Sequence, residues 1–299
     1  MHISVIIPTC GRLRELSLCL QGLEKQTLKP DEIIVVNDSM SEIAVSGNVK
    51  LVKAKTKLGA AGAKNMGAKI ARGEILAFLD DDCVPHPNWL EFLARPFKSQ
   101  KISVAAGRIK EKRKAVLKRN WRDLILNLPF YPFYFLGRKK VGGAIYFNGR
   151  VAANLDVSGI GFCDWGGAGN LAARKDFFIA AGGFDSRFLP GPSLEEPDLC
   201  LRIKESGGAI FYQGQAVVSH NPSAFGRLAP DIMIQNLRAN EVYFGLKNIA
   251  FRGPLEFFGF FLYQAWQILI YFILILANRK YWLRIKGKAK GLKYYLAIR

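Results

Sequence analysis

A short apolar run that ends in three adjacent carboxylates is the feature that most constrains the fold of this chain. Residues 75–79 are continuously apolar, and Asp80, Asp81 and Asp82 follow at once. Such a run predicts a strand that is buried on both faces, as in a parallel sheet covered by helices. Adjacent carboxylates repel one another, and a shared divalent cation, Mn²⁺ or Mg²⁺, relieves that repulsion. An acidic turn that merely ends the strand is the alternative.

Apolar runs and helical patterns alternate along the first third of the chain. Strands are predicted at residues 3–7, 32–36 and 49–52, and helices at residues 13–23 and 63–71. Alternation at this spacing predicts an α/β fold with a doubly wound, mostly parallel sheet. In such a sheet, ligands bind beyond the carboxyl ends of the strands.

Polar residues stand at those predicted strand ends. Thr9 follows the first strand and Asp38 follows the second, so both are expected near the acidic triplet. The loop GAAGAKNMG, residues 59–67, places Lys64 and Asn65 among small residues at a helix start, which suits a diphosphate. Taken alone, Asp38 also fits a turn, and the loop also fits a glycine pattern for helix packing.

Charge and cysteine content restrict the partners and the compartment. The chain has 43 Lys and Arg against 24 Asp and Glu, a formal net charge of +19, which implies an anionic partner. The basic runs at residues 110–122 and 279–293 adjoin apolar segments, which favours a membrane surface over nucleic acid. The five cysteines form no CxxC pair and are expected as cytosolic thiols. The first residues lack the basic start of a signal peptide, so we expect the N-terminal part in the cytoplasm.

Four stretches occur together and in order: SVIIPTCGR (residues 4–12), IIVVNDS (33–39), GAAGAKNMG (59–67) and GEILAFLDDD (73–82). Together they resemble the nucleotide-sugar half of the family 2 inverting glycosyltransferases of the GT-A fold, and the resemblance extends over residues 3–222. It implies that Asp38 binds the base of the donor and that Asp80 and Asp82 form the DXD motif, with Asp82 as principal metal ligand. The implied donor-binding residues are Pro8, Thr9, Arg12, Asp38, Gly62, Lys64, Asn65, Asp80 and Asp81. The chain departs from the family pattern at Asn37, where Asp is frequent, and at Lys64, where Arg is frequent.

The second half continues the resemblance. Its implied acceptor-side residues are Trp165, Gly169, Asn170 and Arg202. The stretch EEPDLCLR resembles the family motif ED-x-D/E-L-x-x-R and places Glu196 where the family has its general base. Glu195 and Asp198 remain alternatives for the base, and an acidic helix N-terminus without a catalytic role explains the same residues. The resemblance implies that His220 is a further metal ligand, and the alternative is a purely structural histidine.

Two apolar segments indicate contact with a membrane. Residues 257–277 form 21 uncharged positions, enough to span a bilayer. If this helix spans the bilayer, the basic tail that follows it is expected in the cytoplasm, and the catalytic part would lie on the opposite side, away from nucleotide sugars. A segment that enters and returns, or one that lies at the interface, is therefore also possible. The fourth possibility is a packed helix in a soluble protein. Residues 121–136, rich in aromatics and prolines, are expected at the interface, with a core segment as competitor.

These features predict three regions along the chain. Residues 1–105 form the nucleotide-sugar-binding half and residues 106–225 the acceptor half of one GT-A domain, with an interfacial insertion at about 115–145. Residues 226–299 form a helical, membrane-associating region. The predicted activity is metal-dependent inverting transfer of a sugar from a nucleotide diphosphate donor to a lipid-linked or polysaccharide acceptor, at the cytoplasmic face of the cell membrane. The predicted cofactor is Mn²⁺ or Mg²⁺.

Other functions fit parts of the pattern. In a polyisoprenyl-phosphate glycosyltransferase, the lipid phosphate attacks and needs little base catalysis. A non-catalytic module that binds nucleotide sugar or lipid is a second alternative, and a nucleic-acid binder fits least, because no recognition motif accompanies the charge. The sequence predicts no nucleic-acid partner and leaves the oligomeric state open.

Overall fold

A nine-stranded mixed sheet forms the centre of the molecule. The computed structural model describes residues 1–45, 47–111, 125–136, 141–191, 193–223 and 228–298. The strands are β1 (Ile3–Thr9), β2 (Glu32–Asn37), β3 (Val49–Lys53), β4 (Ile75–Phe78), β5 (Cys83–Pro85), β6 (Ile102–Glu111), β7 (Gly142–Ile145), β8 (Val151–Asn154), β9 (Ile160–Phe162), β10 (Leu171–Arg174) and β11 (Ala209–His220). The sheet order is β3-β2-β1-β4-β10-β6-β11-β5, with β9 also on β11, and β7 and β8 form a separate pair.

Strand direction confirms the expected mostly parallel sheet. Strands β1 to β4 run parallel to one another, and β6 and β11 run the same way, separated from them by the antiparallel β10. Strands β5 and β9 pair antiparallel with β11. The predicted border at residue 105 falls inside β6, so one continuous sheet connects the two predicted halves.

Helices cover both faces of the sheet, as a doubly wound fold requires. The α-helices of the described residues are α1 (Leu13–Glu24), α2 (Gly59–Ile70), α3 (Trp89–Ala94), α4 (Tyr131–Leu136), α5 (Lys175–Ala180), α6 (Glu195–Glu205), α7 (Pro230–Asn248), α8 (Pro254–Ile275) and α9 (Tyr281–Ala297). Of these, α1, α2, α3, α5 and α6 pack on the sheet. Because side chains alternate along a strand, Ile6 of β1 packs with α2, α5 and α6, whereas Val5 and Ile7 pack with α1 and α3. Both faces of β1 and β4 are therefore buried, which explains their continuous apolar sequence.

Helix α2 begins earlier than the sequence predicts. Residues 59–62 were expected in a loop, but the helix starts at Gly59, whose φ of +72° suits glycine. The carboxylate of Asp38 accepts hydrogen bonds from the backbone N–H groups of Leu58 (2.6 Å) and Gly59 (2.8 Å). A residue 20 positions away thus satisfies the first N–H groups of the helix, which no local pattern indicates.

The C-terminal helices pack on one another and on the described part of the predicted insertion. Residues 112–124 and 137–140 of that insertion lie outside the described residues. In the described part, Leu126 packs with Tyr271 of α8, and the rings of Phe130 and Tyr263 meet edge to face at 5.3 Å. In the part of the chain that the structure describes, α8 is the one helix long and apolar enough to cross a membrane, by length and composition alone.

Candidate active site

The carboxyl ends of β1, β2 and β4 meet at one edge of the sheet. The register pairs Thr9 with Asn37 across β1 and β2, and the acidic triplet follows β4, the other neighbour of β1. Thr9 donates a hydrogen bond to the Asp81 carboxylate at 2.7 Å. Polar strand ends that lie 72 residues apart in sequence therefore come together, as the parallel sheet predicts.

Asp81 points into the protein and holds the loop after β1. It is fully buried and accepts hydrogen bonds from Thr9 and from two nitrogens of Arg12, one at 3.1 Å. Burial raises the pKa of Asp81 to about 6, although Arg12 and Thr9 favour its ionised form. Arg12 also reaches Asp82, at 3.1 Å. These contacts give Asp81 and Arg12 a positioning role within the site, and their predicted contact with the donor stays a prediction.

A buried ion pair connects the triplet to α2. Lys64 is only 2% exposed, and its Nζ lies 2.9 Å from Oδ1 of Asp80. Burial alone would lower the pKa of Lys64, but the carboxylates of Asp80, Glu196 and Glu195 raise it above its ordinary value. Lys64 is therefore a fixed cation whose field reaches both the triplet and the start of α6.

Asp82 and His220 form the pair best suited to a metal ion. Nε2 of His220, at the end of β11, lies 3.5 Å from Oδ1 of Asp82. The Cys83 thiol is in the same group, whose potential ligand atoms lie within 4.8 Å of one another. Burial raises the pKa of the Cys83 thiol well above its ordinary value, so it stays protonated and is a poor ligand for a hard cation. A carboxylate and an imidazole are ligands that fit Mn²⁺.

The first turn of α6 holds two carboxyl groups with raised pKa values. Glu195 is 6% exposed, and its Oε2 has no hydrogen-bond partner among the described residues. Burial, followed by the charge of Glu196, raises the pKa of Glu195 to about 8. Burial also raises the pKa of Glu196, while Lys64 opposes that rise. Glu196 remains partly exposed and accepts a long hydrogen bond from the Ala168 N–H at 3.4 Å.

Asp198, two residues further along α6, is already saturated with partners. It is fully buried and accepts hydrogen bonds from Arg202 (2.6 and 2.9 Å) and Asn248 (2.9 Å). Its Oδ1 also lies 2.6 Å from Nζ of Lys247, which bridges to Asp185 at 2.7 Å. Among the described residues, no ion pair holds Glu196, which favours it over Asp198 as the base. Sequence reasoning overlooked this role of Lys247 because its partners are 49 and 62 residues away.

Several other predicted site residues serve the packing around the site. Asn65 exchanges hydrogen bonds with the backbone of Phe184, at 2.7 and 2.9 Å. The amide of Asn170 bridges Trp89 and two backbone carbonyls, and the Trp165 indole N–H donates to the carbonyl of Ala152 at 3.1 Å. Their roles toward substrate stay predictions.

Three further predicted residues lie close to the triplet or to α2. An added Cβ on Gly169 would lie 3.0 Å from Oδ2 of Asp80, so Gly169 lets the chain pass directly beside the triplet. Pro8 is buried in β1 opposite Val36, and Gly62 lies in the first turn of α2. The structure thus brings Thr9, Lys64, the acidic triplet and Glu196 to one edge of the sheet.

Comparison with known proteins identifies the class. The sequence profile described as Glycosyl transferase family 2 matches residues 4–155, half of the 299 residues. The chain therefore belongs to this family, and the expectation of an inverting glycosyltransferase with a GT-A fold is confirmed.

Named relatives and solved structures extend the comparison. The glucosyl-dolichyl phosphate glucuronosyltransferase of Haloferax volcanii is 24% identical over 238 residues, which cover 74% of this chain and 69% of that protein. Glycosyltransferase AglE of the same organism is 35% identical over 100 residues, 30% of this chain and 33% of that protein. A structure of GalNAc-T7 with UDP, GalNAc and Mn²⁺ has a TM-score of 0.62 and 15% identity, covering 99% of this chain and 56% of that one. The mannosyltransferase PcManGT from Pyrobaculum calidifontis with GDP-Man and Mn²⁺ has a TM-score of 0.52 and 15% identity, covering 100% of this chain and 76% of that one.

Proposed function

We propose that this glycosyltransferase transfers a sugar from a nucleoside diphosphate donor to a lipid-linked acceptor at the cytoplasmic membrane face. One observation carries the proposal. Lys64 is a buried cation that lies 2.9 Å from Asp80 and within electrostatic reach of Glu195 and Glu196. A diphosphate anchor and a candidate base thus face one another across a single site, as a one-step displacement requires.

The donor side of the site suits a metal-bound diphosphate. Asp82 and His220 would hold a divalent cation, whose charge neutralises the departing nucleoside diphosphate. Two solved structures of similar fold contain Mn²⁺ together with UDP or GDP-Man, which supports a nucleotide donor. Because one nucleotide carries uracil and the other guanine, they do not identify the nucleobase of the donor. Asp80, held by Lys64, stands beside this pair and completes the proposed DXD motif.

Glu196 is the proposed base for the acceptor side. Its carboxylate takes the proton from the acceptor hydroxyl as that oxygen attacks the anomeric carbon. The bond from the anomeric carbon to the diphosphate oxygen breaks at the same time, and its electron pair leaves with the nucleoside diphosphate. Attack opposite to the leaving group inverts the configuration at the anomeric carbon.

A lipid-linked acceptor at the membrane is the finer part of the proposal. A relative that aligns over 74% of this chain is named for a dolichyl phosphate sugar. Helix α8 exposes large apolar side chains, among them Phe258 and Leu262, and a basic segment follows it. An apolar surface next to cationic residues suits a lipid-linked, phosphorylated acceptor.

Replacement of the base tests the mechanism. We expect Glu196→Gln to lower kcat by about 10² to 10⁴, the usual contribution of general base catalysis, while donor binding persists. Donor binding is measured as the rise in Tm that nucleoside diphosphates cause with Mn²⁺ and do not cause with a chelator. Glu205→Gln, an exposed change on the same helix, is the control.

The same variant separates two reactions. A phosphate acceptor is already an anion and needs no base. Unimpaired transfer by Glu196→Gln would therefore indicate that the acceptor is a polyisoprenyl phosphate and not a hydroxyl group. Absence of any Tm shift with nucleoside diphosphates and Mn²⁺ in the unaltered protein would overturn the donor assignment.

A further inference from the structure

Helix α8 has two faces of different character. One face is buried against the protein and includes Gly259, Tyr263, Gln267, Ile270 and Leu274, spaced three or four residues apart. The opposite face is exposed and wholly apolar along the helix, at Leu255, Phe258, Leu262, Leu269, Phe272, Ile273 and Leu276. A continuous apolar stripe of this length needs a covering surface that the described protein does not supply.

The buried face of α8 is polar at its middle. Gln264 and Gln267 both accept hydrogen bonds from Lys288 of α9, the latter at 2.7 Å. Lys288 is 4% exposed, and burial lowers the pKa of its ammonium to about 7. The ion pair between Arg238 and Glu241 of α7 lies nearby, with the Arg238 guanidinium 6.0 Å from the ring centroid of Tyr271 of α8. An ion pair of α7 and an ionisable amine of α9 therefore lie against the centre of α8, on the side opposite to the apolar stripe.

This arrangement argues against a helix that crosses the bilayer. Residues 264–267 are the midpoint of α8, so a transmembrane orientation would put Lys288 and its charged neighbours at the bilayer centre. Each charge there costs about 2.5 to 3.5 kcal/mol on insertion scales. A helix that lies flat keeps those groups on the protein side and immerses only the apolar stripe.

The segment after α8 suits the headgroup layer. Arg279 and Lys280 are exposed directly beyond its end, and Trp282 is exposed with Nζ of Lys286 5.9 Å from its ring centroid. Tryptophan and lysine side chains favour the boundary between headgroups and acyl chains. Cations at this depth attract anionic lipid.

We propose that α8 lies in the plane of an anionic lipid surface, with its exposed apolar stripe immersed and the catalytic domain and α9 on the same side. This placement of α8 rests on the proposed function only because both require a membrane near the enzyme. The test of the placement does not require transfer activity. A 22-residue helix lying flat covers about 33 Å of the surface and inserts to a depth of about 5 to 10 Å.

Vesicle flotation tests the surface itself. The full chain is mixed with vesicles of phosphatidylcholine and phosphatidylglycerol, and the double variant Leu262→Asp/Leu269→Asp should bind at least about tenfold more weakly. The matched control is Leu18→Asp/Ile179→Asp, which changes two exposed apolar residues elsewhere and should bind as the parent does. Far-UV circular dichroism and Tm show whether each variant is folded. Equal flotation of both folded variants would overturn the proposal.

Sidedness distinguishes a flat helix from a spanning one. A cysteine appended after Arg299 should react with a membrane-impermeant maleimide added outside the vesicles, without detergent, because the tail stays with the catalytic domain. A chain lacking the added cysteine, labelled in parallel, corrects for the native thiols. A fluorophore on Leu269→Cys should be quenched by lipids with a shallow spin label. Labelling only after detergent, or quenching only by deep labels, would establish a spanning helix instead.

The remaining outcomes are also decisive. A dimer that forms with rising protein concentration, without flotation, would make a second copy the partner of the stripe and overturn the proposal. Normal flotation without sugar transfer would leave the flat helix intact and remove the proposed function. Transfer to a soluble acceptor without flotation would overturn the flat helix and would leave only the sugar-transfer part of the proposed function.

Discussion

Glu196 and Asp198 stand two positions apart on α6 in different surroundings. Asp198 is fully buried and neutralises Arg202 and Lys247, whereas Glu196 keeps part of its surface exposed. We expect Asp198→Asn to lower the free energy of unfolding by about 3 to 5 kcal/mol, because it leaves the guanidinium of Arg202 without a carboxylate and Lys247 with Asp185 alone. Urea unfolding measures the change.

The contrast between the two variants checks this assignment. Glu196→Gln removes a carboxyl group whose pKa burial already raises, so it should leave stability almost unchanged while it lowers kcat by about 10² to 10⁴. If Asp198→Asn unfolds at the same urea concentration as the parent but loses transfer, Asp198 rather than Glu196 becomes the candidate base.

Glu195 should make stability depend on pH. Burial and the charge of Glu196 raise the pKa of Glu195 from 4.5 to about 8, while Lys64 opposes the rise and Asp80 adds to it. A raised carboxyl pKa stabilises the fold below 4.5, and that stabilisation is lost as pH rises to about 8. Relative to the parent, Glu195→Gln should therefore gain about 3 to 5 kcal/mol of unfolding free energy between pH 4 and pH 9.

Urea unfolding of the parent and of Glu195→Gln across this pH range supplies the measurement. Taking the difference between the two proteins cancels the titration of groups that do not interact with Glu195. A pH-independent difference would mean that Glu195 ionises normally in the folded protein.

At the scale of elements, the C-terminal helices depend on two glycines of α9. An added Cβ on Gly287 would lie 2.5 Å from the Gln235 carbonyl of α7, and one on Gly291 the same distance from the Ala239 carbonyl. Backbone atoms cannot move aside as side chains do, so Gly287→Val should force α9 away from α7 and lower stability by about 1 to 3 kcal/mol. Urea unfolding and proteolysis of the C-terminal region should both report the loss.

Ala289→Val is the matched control for this prediction, because Ala289 is exposed on the same helix. Donor binding, which depends on β1, β4 and α2, should survive Gly287→Val. Equal stability of the two variants would contradict the close packing of α7 and α9.

Elements defined by local sequence were predictable, whereas their long-range partners were not. The apolar run at residues 75–79 became β4 because an apolar strand between two helical layers needs no distant information. The start of α2 was wrong, because Asp38 caps it from another strand end. The amides of Asn65 and Asn170 were predicted to face substrate, and the structure shows them in hydrogen bonds with residues 46 to 119 positions away. The sequence alone does not distinguish an Asn side chain that binds substrate from one that hydrogen-bonds within the protein.

At the scale of the whole molecule, one sheet brings the predicted halves into a single site. Strand β10, which comes from the second half of the sequence, lies between β4 and β6 and pairs with both. This insertion places Gly169 beside Asp80 and directs the start of α6 toward Lys64. The triplet and Glu196 are therefore neighbours although 114 residues separate Asp82 from Glu196.

The charge of the molecule is distributed so that its C-terminal end favours an anionic surface. After Glu256 the chain has eight Lys and Arg and no Asp or Glu. Lys286 and Lys293 of α9 are exposed, so Lys286→Gln/Lys293→Gln should weaken binding to vesicles of phosphatidylcholine and phosphatidylglycerol by about tenfold or more, at about 1 kcal/mol for each lysine. Salt screens such attraction, so the difference from the parent should shrink as ionic strength rises. Lys25→Gln/Lys101→Gln, two exposed lysines outside the C-terminal helices, should bind as the parent does; equal weakening by both pairs would assign the attraction to net charge rather than to α9.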